Sequence, residues 1–315
     1  MPVSEVYQRQ VSLLIRILPL VAAEECFALK GGTAINLFVR DMPRVSVDID
    51  LTYLPLSSRE ESLAAIDAAM NRIAVRIRDA FSGVQITAIG TKLEKAVIKL
   101  LVRHEGVQVE IEVTPVLRGC VYEPELRAVS PSVEDAFGFA EIRVVSFADL
   151  YAGKIVAALD RQHPRDLFDV RDLLANEGIN HDLRCAFVVY LLSHNRPMAE
   201  ILAPARKSIA DEFQRGFDGM TTLPVSIEEL ITAREAMITS MVRQMPDVHR
   251  RFLLSFERGE PDWPLLDIPG AHALPAVRWR QRNLDTLSAK KRALLKSQLE
   301  AVLFPSGTAT GTSPT

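Results

Sequence analysis

Apolar residues Val11, Leu14, Ile15, Ile17 and Leu18 fall on one broad stripe, which predicts a helix over residues 4–25. Pro19 should kink or split it. A short apolar run, Phe27 to Leu29, is broken by Lys30-Gly31-Gly32-Thr33 and followed by a short helix at Ala34 to Phe38. Strict alternation then appears, with Val47, Ile49 and Leu51 on one face of a strand and Asp48 and Asp50 on the other. Residues 58–80 repeat apolar positions at helical spacing, with Ser58 and Glu61 set as a capping box. Strand-like runs at 84–90, 95–105 and 107–116 follow, the last two joined by a hairpin turn at His104-Glu105-Gly106. The stretch from 120 to 147 reads as irregular. Ser146 then caps a helix through Leu159, Pro164 falls in a loop, and Arg165 to Leu174 form another helix. Residues 181–300 read as mostly helical, punctuated by prolines. The pattern predicts an α/β (α+β) chain: a small mixed-sheet lobe over 1–125, a mostly helical C-terminal lobe over 126–304, and a disordered tail over 305–315.

Composition supports a globular protein. Of 315 residues, 48% are hydrophobic and 24% charged, enough to bury a large core. The best membrane candidate, Val11 to Ala23, is too short and carries Arg16, and the N-terminus does not read as a signal peptide. Three scattered cysteines, Cys26, Cys120 and Cys185, fit reduced thiols in a cytoplasmic protein rather than a disulfide frame or zinc site. The net charge of −3 gives no general attraction to nucleic acid. A local basic cluster, Arg278, Arg280, Arg282, Lys290, Lys291, Arg292 and Lys296, is either an RNA-binding face or a solvated helix face.

The chemistry concentrates in two alternating segments. Asp48 and Asp50 share one strand face, and Glu110 and Glu112 do the same in Val109-Glu110-Ile111-Glu112-Val113. Neighbouring carboxylates repel, and a divalent metal is the usual reason for keeping them together. Two-metal nucleotidyl transfer uses about three carboxylates around ions roughly 4 Å apart. Asp48 and Asp50 are therefore candidate metal ligands, with Glu112 or Glu110 as the third. Gly31, Gly32 and Thr33, in a turn leading into a helix, suit phosphate. Ser46 projects to the same face as Asp48. Lys30 and Arg44 either face the phosphates or point to solvent.

The stretch KGGTAINLF…RVSVDIDL resembles the AbiEii/AbiGii toxin family of polymerase-β-like nucleotidyltransferases. Three later segments fit the same family: VEIEVTPVLRG (109–119), the run from LYAGKIVAALDR to HPRDLFDVRDLL (150–174), and LPAVRWRQRNLDTL (274–287). The resemblance implies that Asp48, Asp50, Lys154 and Asp166 are catalytic, with Lys154 and Arg161 near the triphosphate, and favours Glu112 as the third metal ligand. It also implies Mg²⁺ or Mn²⁺, an NTP substrate, a tRNA 3′ end or other RNA acceptor, and a cognate antitoxin of AbiEi-like, winged-helix type. The residues alone reach only to metal, triphosphate and an acceptor. A small-molecule or protein nucleotidyltransferase, or a non-catalytic module of the same fold, fits them too.

Overall fold

A computed structural model describes residues 5–91 and 95–305. Most of the tail expected to be disordered, 306–315, lies outside the described residues, as does Lys92.

Seven strands form one mixed sheet: β1 (Phe27–Lys30), β2 (Asp48–Tyr53), β3 (Gln85–Gly90), β4 (Val97–His104), β5 (Val107–Val113), β6 (Glu125–Ala128) and β7 (Glu141–Val144). Their order is β3-β4-β5-β2-β1-β7-β6. β2 is the central strand, parallel to β5 on one side and antiparallel to β1 on the other. The aliphatic halves of the two alternating segments explain this. Ile49, Leu51, Val109, Ile111 and Val113 are all buried, and their face is covered by helices α1 (Glu5–Ala22) and α3 (Arg59–Ala80), which pack on β5, β7 and β4. The capping box of α3 forms as the sequence predicts, with Ser58 and Glu61 each bonding the other's backbone N–H.

Several expectations change. Pro19 does not split α1, because it sits in the last turns, where little helix remains to disrupt. The first helical turn after β1 begins at Gly31 itself: α2 (Gly31–Ala34) runs straight into a π turn over Ile35–Val39. The segment read as irregular holds β6, helix α4 (Pro131–Phe137) and β7. β7 pairs with β1 in parallel, at Leu29 opposite Val144. Ending the first lobe at 125 would therefore cut the sheet, which closes at Val144. Four-residue strands are too short for their period to stand out in sequence.

The helical half starts with α5 (Phe147–Arg161), capped by Ser146, and α6 (Pro164–Asn176), in which Pro164 opens the helix rather than lying in a loop. There follow α7 (His181–Leu192), α8 (Met198–Leu202), α9 (Ala210–Gly216), α10 (Ile227–Ile238), α11 (Asp247–Arg258), α12 (Pro275–Asp285) and α13 (Ala289–Leu303). No helix among the described residues is long and apolar enough to cross a membrane.

Candidate active site

The polar face of the sheet looks into a cleft of about 530 Å³ between the strands and helices α5 to α7. Strand register sets its charges. Lys30 on β1 lies opposite Asp50 on β2, Asp50 beside Glu112 on β5, and Glu112 opposite Lys99 on β4. One residue pair along, Asp48 lies beside Glu110. In-register residues point to the same face, so four carboxylates and two lysines share it.

Asp48 and Asp50 are not neutralised by contact. Burial raises the Asp48 carboxyl above its ordinary value, and the charges of Asp50 and Glu110 raise it further. Burial also raises Asp50, against the pull of Lys30 and Lys154. Lys30 is lowered by burial, with Asp50 and Glu112 opposing, and its Nζ donates to Thr114 Oγ1 at 3.0 Å. The backbone of Gly31 presses against this pair. Its φ is +77°, and a Cβ there would lie 2.4 Å from Asp50 Oδ2. Gly32 is as tightly fitted, its hypothetical Cβ lying 2.8 Å from both Arg44 Nη2 and Ser46 Oγ. Glycine at both positions lets the backbone approach that a Cβ would block.

The opposite wall holds a paired cluster. Lys154, buried on α5, donates to Asp166 Oδ1 at 2.9 Å and reaches Asp169 Oδ2 at 3.0 Å. Arg161 chelates Asp166 with Nε and Nη2. Arg44 chelates Asp169 at 2.8 and 2.6 Å, and Asn36 donates to the same carboxylate at 3.2 Å. Burial alone would raise both acids, but Lys154 and Arg161 hold Asp166 far below the usual carboxylate range, and Arg44 and Lys154 hold Asp169 below it. Burial depresses Lys154, yet Asp166 and Asp169 outweigh it and keep the ammonium charged.

Several sequence expectations meet in this cleft. Asp48, Asp50, Lys30, Gly31, Gly32, Ser46, Lys154, Arg161 and Asp166 all line it. Thr33 does not. Its hydroxyl is fully buried and donates to the Asp48 carbonyl at 2.5 Å, so it fixes the start of β2 instead of facing phosphate. Asp166 touches Lys154 and Arg161 and positions them. Glu112 stands beside Asp50, but its carboxylate and that of Glu110 are both taken by Lys99. In the C-terminal cluster, Arg280 is buried and donates to the carbonyls of His194 and Arg196, which withdraws it from any RNA-binding face. Sequence reasoning gave no role to Arg165, which lines the cleft and lowers Asp48 by its charge. Arg44, read as open between phosphate and solvent, is buried in the Asp169 pair.

Among the described residues no three His, Cys, Asp or Glu side chains converge closely enough to enclose a metal ion. Asp48 and Asp50 nonetheless suit one. Magnesium is commonly held by one or two carboxylates, with substrate phosphates and water completing the shell. Two adjacent carboxylates raised by burial and by neighbouring acids, Asp50 and Glu110 acting on Asp48 and Glu110 on Asp50, are a donor pair short of a cation.

A family model described as nucleotidyl transferase AbiEii toxin, type IV toxin–antitoxin system, matches residues 12–282. In fold the chain is similar to MenT4, a nucleotidyltransferase toxin from Mycobacterium tuberculosis H37Rv. The TM-score is 0.57 at 19% identity, covering 89% of this chain and 95% of that one. No curated protein sequence matches.

Proposed function

The chain belongs to the AbiEii family of nucleotidyltransferase toxins of type IV toxin–antitoxin systems, and from that premise we propose that it moves a nucleoside monophosphate from an NTP to an RNA acceptor, the 3′ end of tRNA. The observation that carries this reading is the meeting, in one cleft, of an uncompensated Asp48–Asp50 pair with Gly31-Gly32 and the cations Lys30, Lys154, Arg161 and Arg165. Asp48 and Asp50 would hold Mg²⁺ or Mn²⁺, which when bound would lower the pKa of the attacking hydroxyl and neutralise charge on the triphosphate. The backbone N–H groups at the start of α2 receive phosphate oxygens. Arg161 and Arg165 bind the outer phosphates, and Lys154, fixed by Asp166 and Asp169, faces the charge that develops on pyrophosphate as it leaves. A cognate antitoxin, AbiEi-like and winged-helix, opposes the activity. Both substrates place the protein in the cytoplasm.

The test is incubation with each of four α-labelled NTPs and Mg²⁺, with and without total tRNA. Label on tRNA that depends on Asp50 supports the reading. Label only on protein or a small molecule moves the activity to a different acceptor, and absence of label under every condition refutes transfer.

A further inference from the structure

The sheet carries a cation of its own where a second metal would be expected. Lys99 Nζ bridges Glu110 Oε1 and Glu112 Oε2, the latter at 2.9 Å. Those two glutamates lie in register beside Asp48 and Asp50 on the neighbouring strand. The two carboxylates nearest the aspartates, the ones able to complete a three-carboxylate, two-ion set, are thus already bridged by a positive charge. With Lys30 at the other end of the row, two lysines face four carboxylates, leaving an excess of two negative charges. That excess equals the charge of one divalent ion. Lys99 is itself held charged, because its ammonium donates to both glutamates.

We propose that Lys99 acts as a built-in second cation, so that the site binds one divalent ion, on Asp48 and Asp50, and Glu110 and Glu112 are not metal ligands. The inference rests on the nucleotidyltransferase reading of this cleft and deepens it. In a two-ion site the third carboxylate spans both ions or serves the hydroxyl. Here it is tied to an amine that cannot leave with product.

The probe is Mn²⁺, counted by electron paramagnetic resonance in the full chain with a saturating non-hydrolysable NTP analogue. Wild type should bind one ion per chain tightly, and Glu112→Gln should change its affinity less than about threefold. Lys99→Met frees both glutamates and should admit a second ion with at least tenfold higher affinity than any second ion in wild type. Two tight ions in wild type, a tenfold or greater loss in Glu112→Gln, or an unchanged count in Lys99→Met each overturn the proposal. If Lys99→Met does not fold, the wild-type count and Glu112→Gln still decide it. Asp50→Asn separates this inference from the reading beneath it: should that variant keep its tight ion, the metal assignment to the aspartates fails as well.

Discussion

Gly31→Ala offers a sharp probe of the site, because one added methyl has two separable effects. Gly31 has φ +77°, and an L-residue in that left-handed region costs about 1–2 kcal/mol. The new Cβ would also sit 2.4 Å from Asp50 Oδ2 and 3.1 Å from Asp50 Cβ. Asp50 is anchored on the central strand, paired on both sides, so its backbone cannot retreat and the carboxylate must rotate. Losing one charged ligand contact is worth about 1.5–3 kcal/mol, or roughly a 10- to 150-fold loss of metal affinity. Gly83→Ala is the control. Its φ is +75°, with nothing within 4 Å of the added Cβ, so it carries the backbone strain and the unfolded-chain effect alone. Both variants should lose about 1–2 kcal/mol, a fall of roughly 2–8 °C in melting temperature. Only Gly31→Ala should lose Mn²⁺ affinity and transfer. Mn²⁺ titration beside thermal melts reads both effects. A Gly31→Ala protein that binds Mn²⁺ within threefold of wild type would falsify the placement of the ion on Asp50.

Asp50→Asn should abolish transfer while raising the melting temperature of the metal-free protein. Since Asp48 and Asp50 are raised in the folded state, wild-type apo stability should grow as pH falls through their folded values toward about 3.9. Metal affinity should rise with pH over the same window, and a flat pH profile in wild type would contradict the raised carboxyls. Asp169→Ala strips a fully buried partner from Arg44 and Lys154 and should cost about 3–5 kcal/mol of stability by denaturant unfolding. A loss under 1 kcal/mol would mean that the cluster relaxes or hydrates freely. Reversing the exposed Arg278 and Arg282 to Glu should weaken tRNA binding and lessen its salt dependence by about 0.7–0.9 in log–log slope per lost phosphate contact, leaving NTP binding intact. An unaltered slope would make the patch a solvated surface.

Much of the sheet was legible because period-two alternation carries both faces at once. In Val47 to Leu51 and Val109 to Val113 the aliphatics predict burial and the acids predict a shared polar face. Both hold within the paired strands, where Ile49, Leu51, Ile111 and Val113 are fully buried, while Val47 lies ahead of β2 and is only half-buried. The register between β2 and β5 was not legible. Nothing in the residue order says that Asp50 stands beside Glu112, because that pairing is a long-range choice. The hairpin that sets Lys99 across from Glu112 was legible, but its register turns on the length of the turn, in which His104 already pairs with Val107. Arg44 illustrates a second limit. In a loop beside Pro43 it looks like any surface charge, and only the arrival of α6 with Asp169 buries it. β6 and β7 were missed because four residues show too little period, though Val144 and Val145 ahead of the Ser146 cap were a usable signal.

The two walls of the cleft solve opposite electrostatic problems. On the helical wall, the buried charges Lys154, Asp166, Asp169 and Arg44 are paired with one another and with the exposed Arg161. Such a cluster is weak evidence for stability, since desolvation offsets most of the attraction, and apolar replacements often do as well. What it provides is position. Asp169 binds side chains from the α5 helix, the loop before β2 and the π turn after α2, tying the helical half to the sheet. Lys154 then cannot swing toward solvent or collapse onto Asp50. On the sheet wall the aspartates are left short of cations, and the deficit is kept open by Gly31, whose missing side chain leaves room for the Asp50 carboxylate. A rigid wall of cations facing a floor of carboxylates with one ion's charge missing suits the proposed metal-bound polyphosphate, whose anion would meet the helices and whose ion would meet the strands. Catalysis by preorganised charge requires that the donors be set before the transition state forms, and the cost of setting them falls on folding rather than on the reaction.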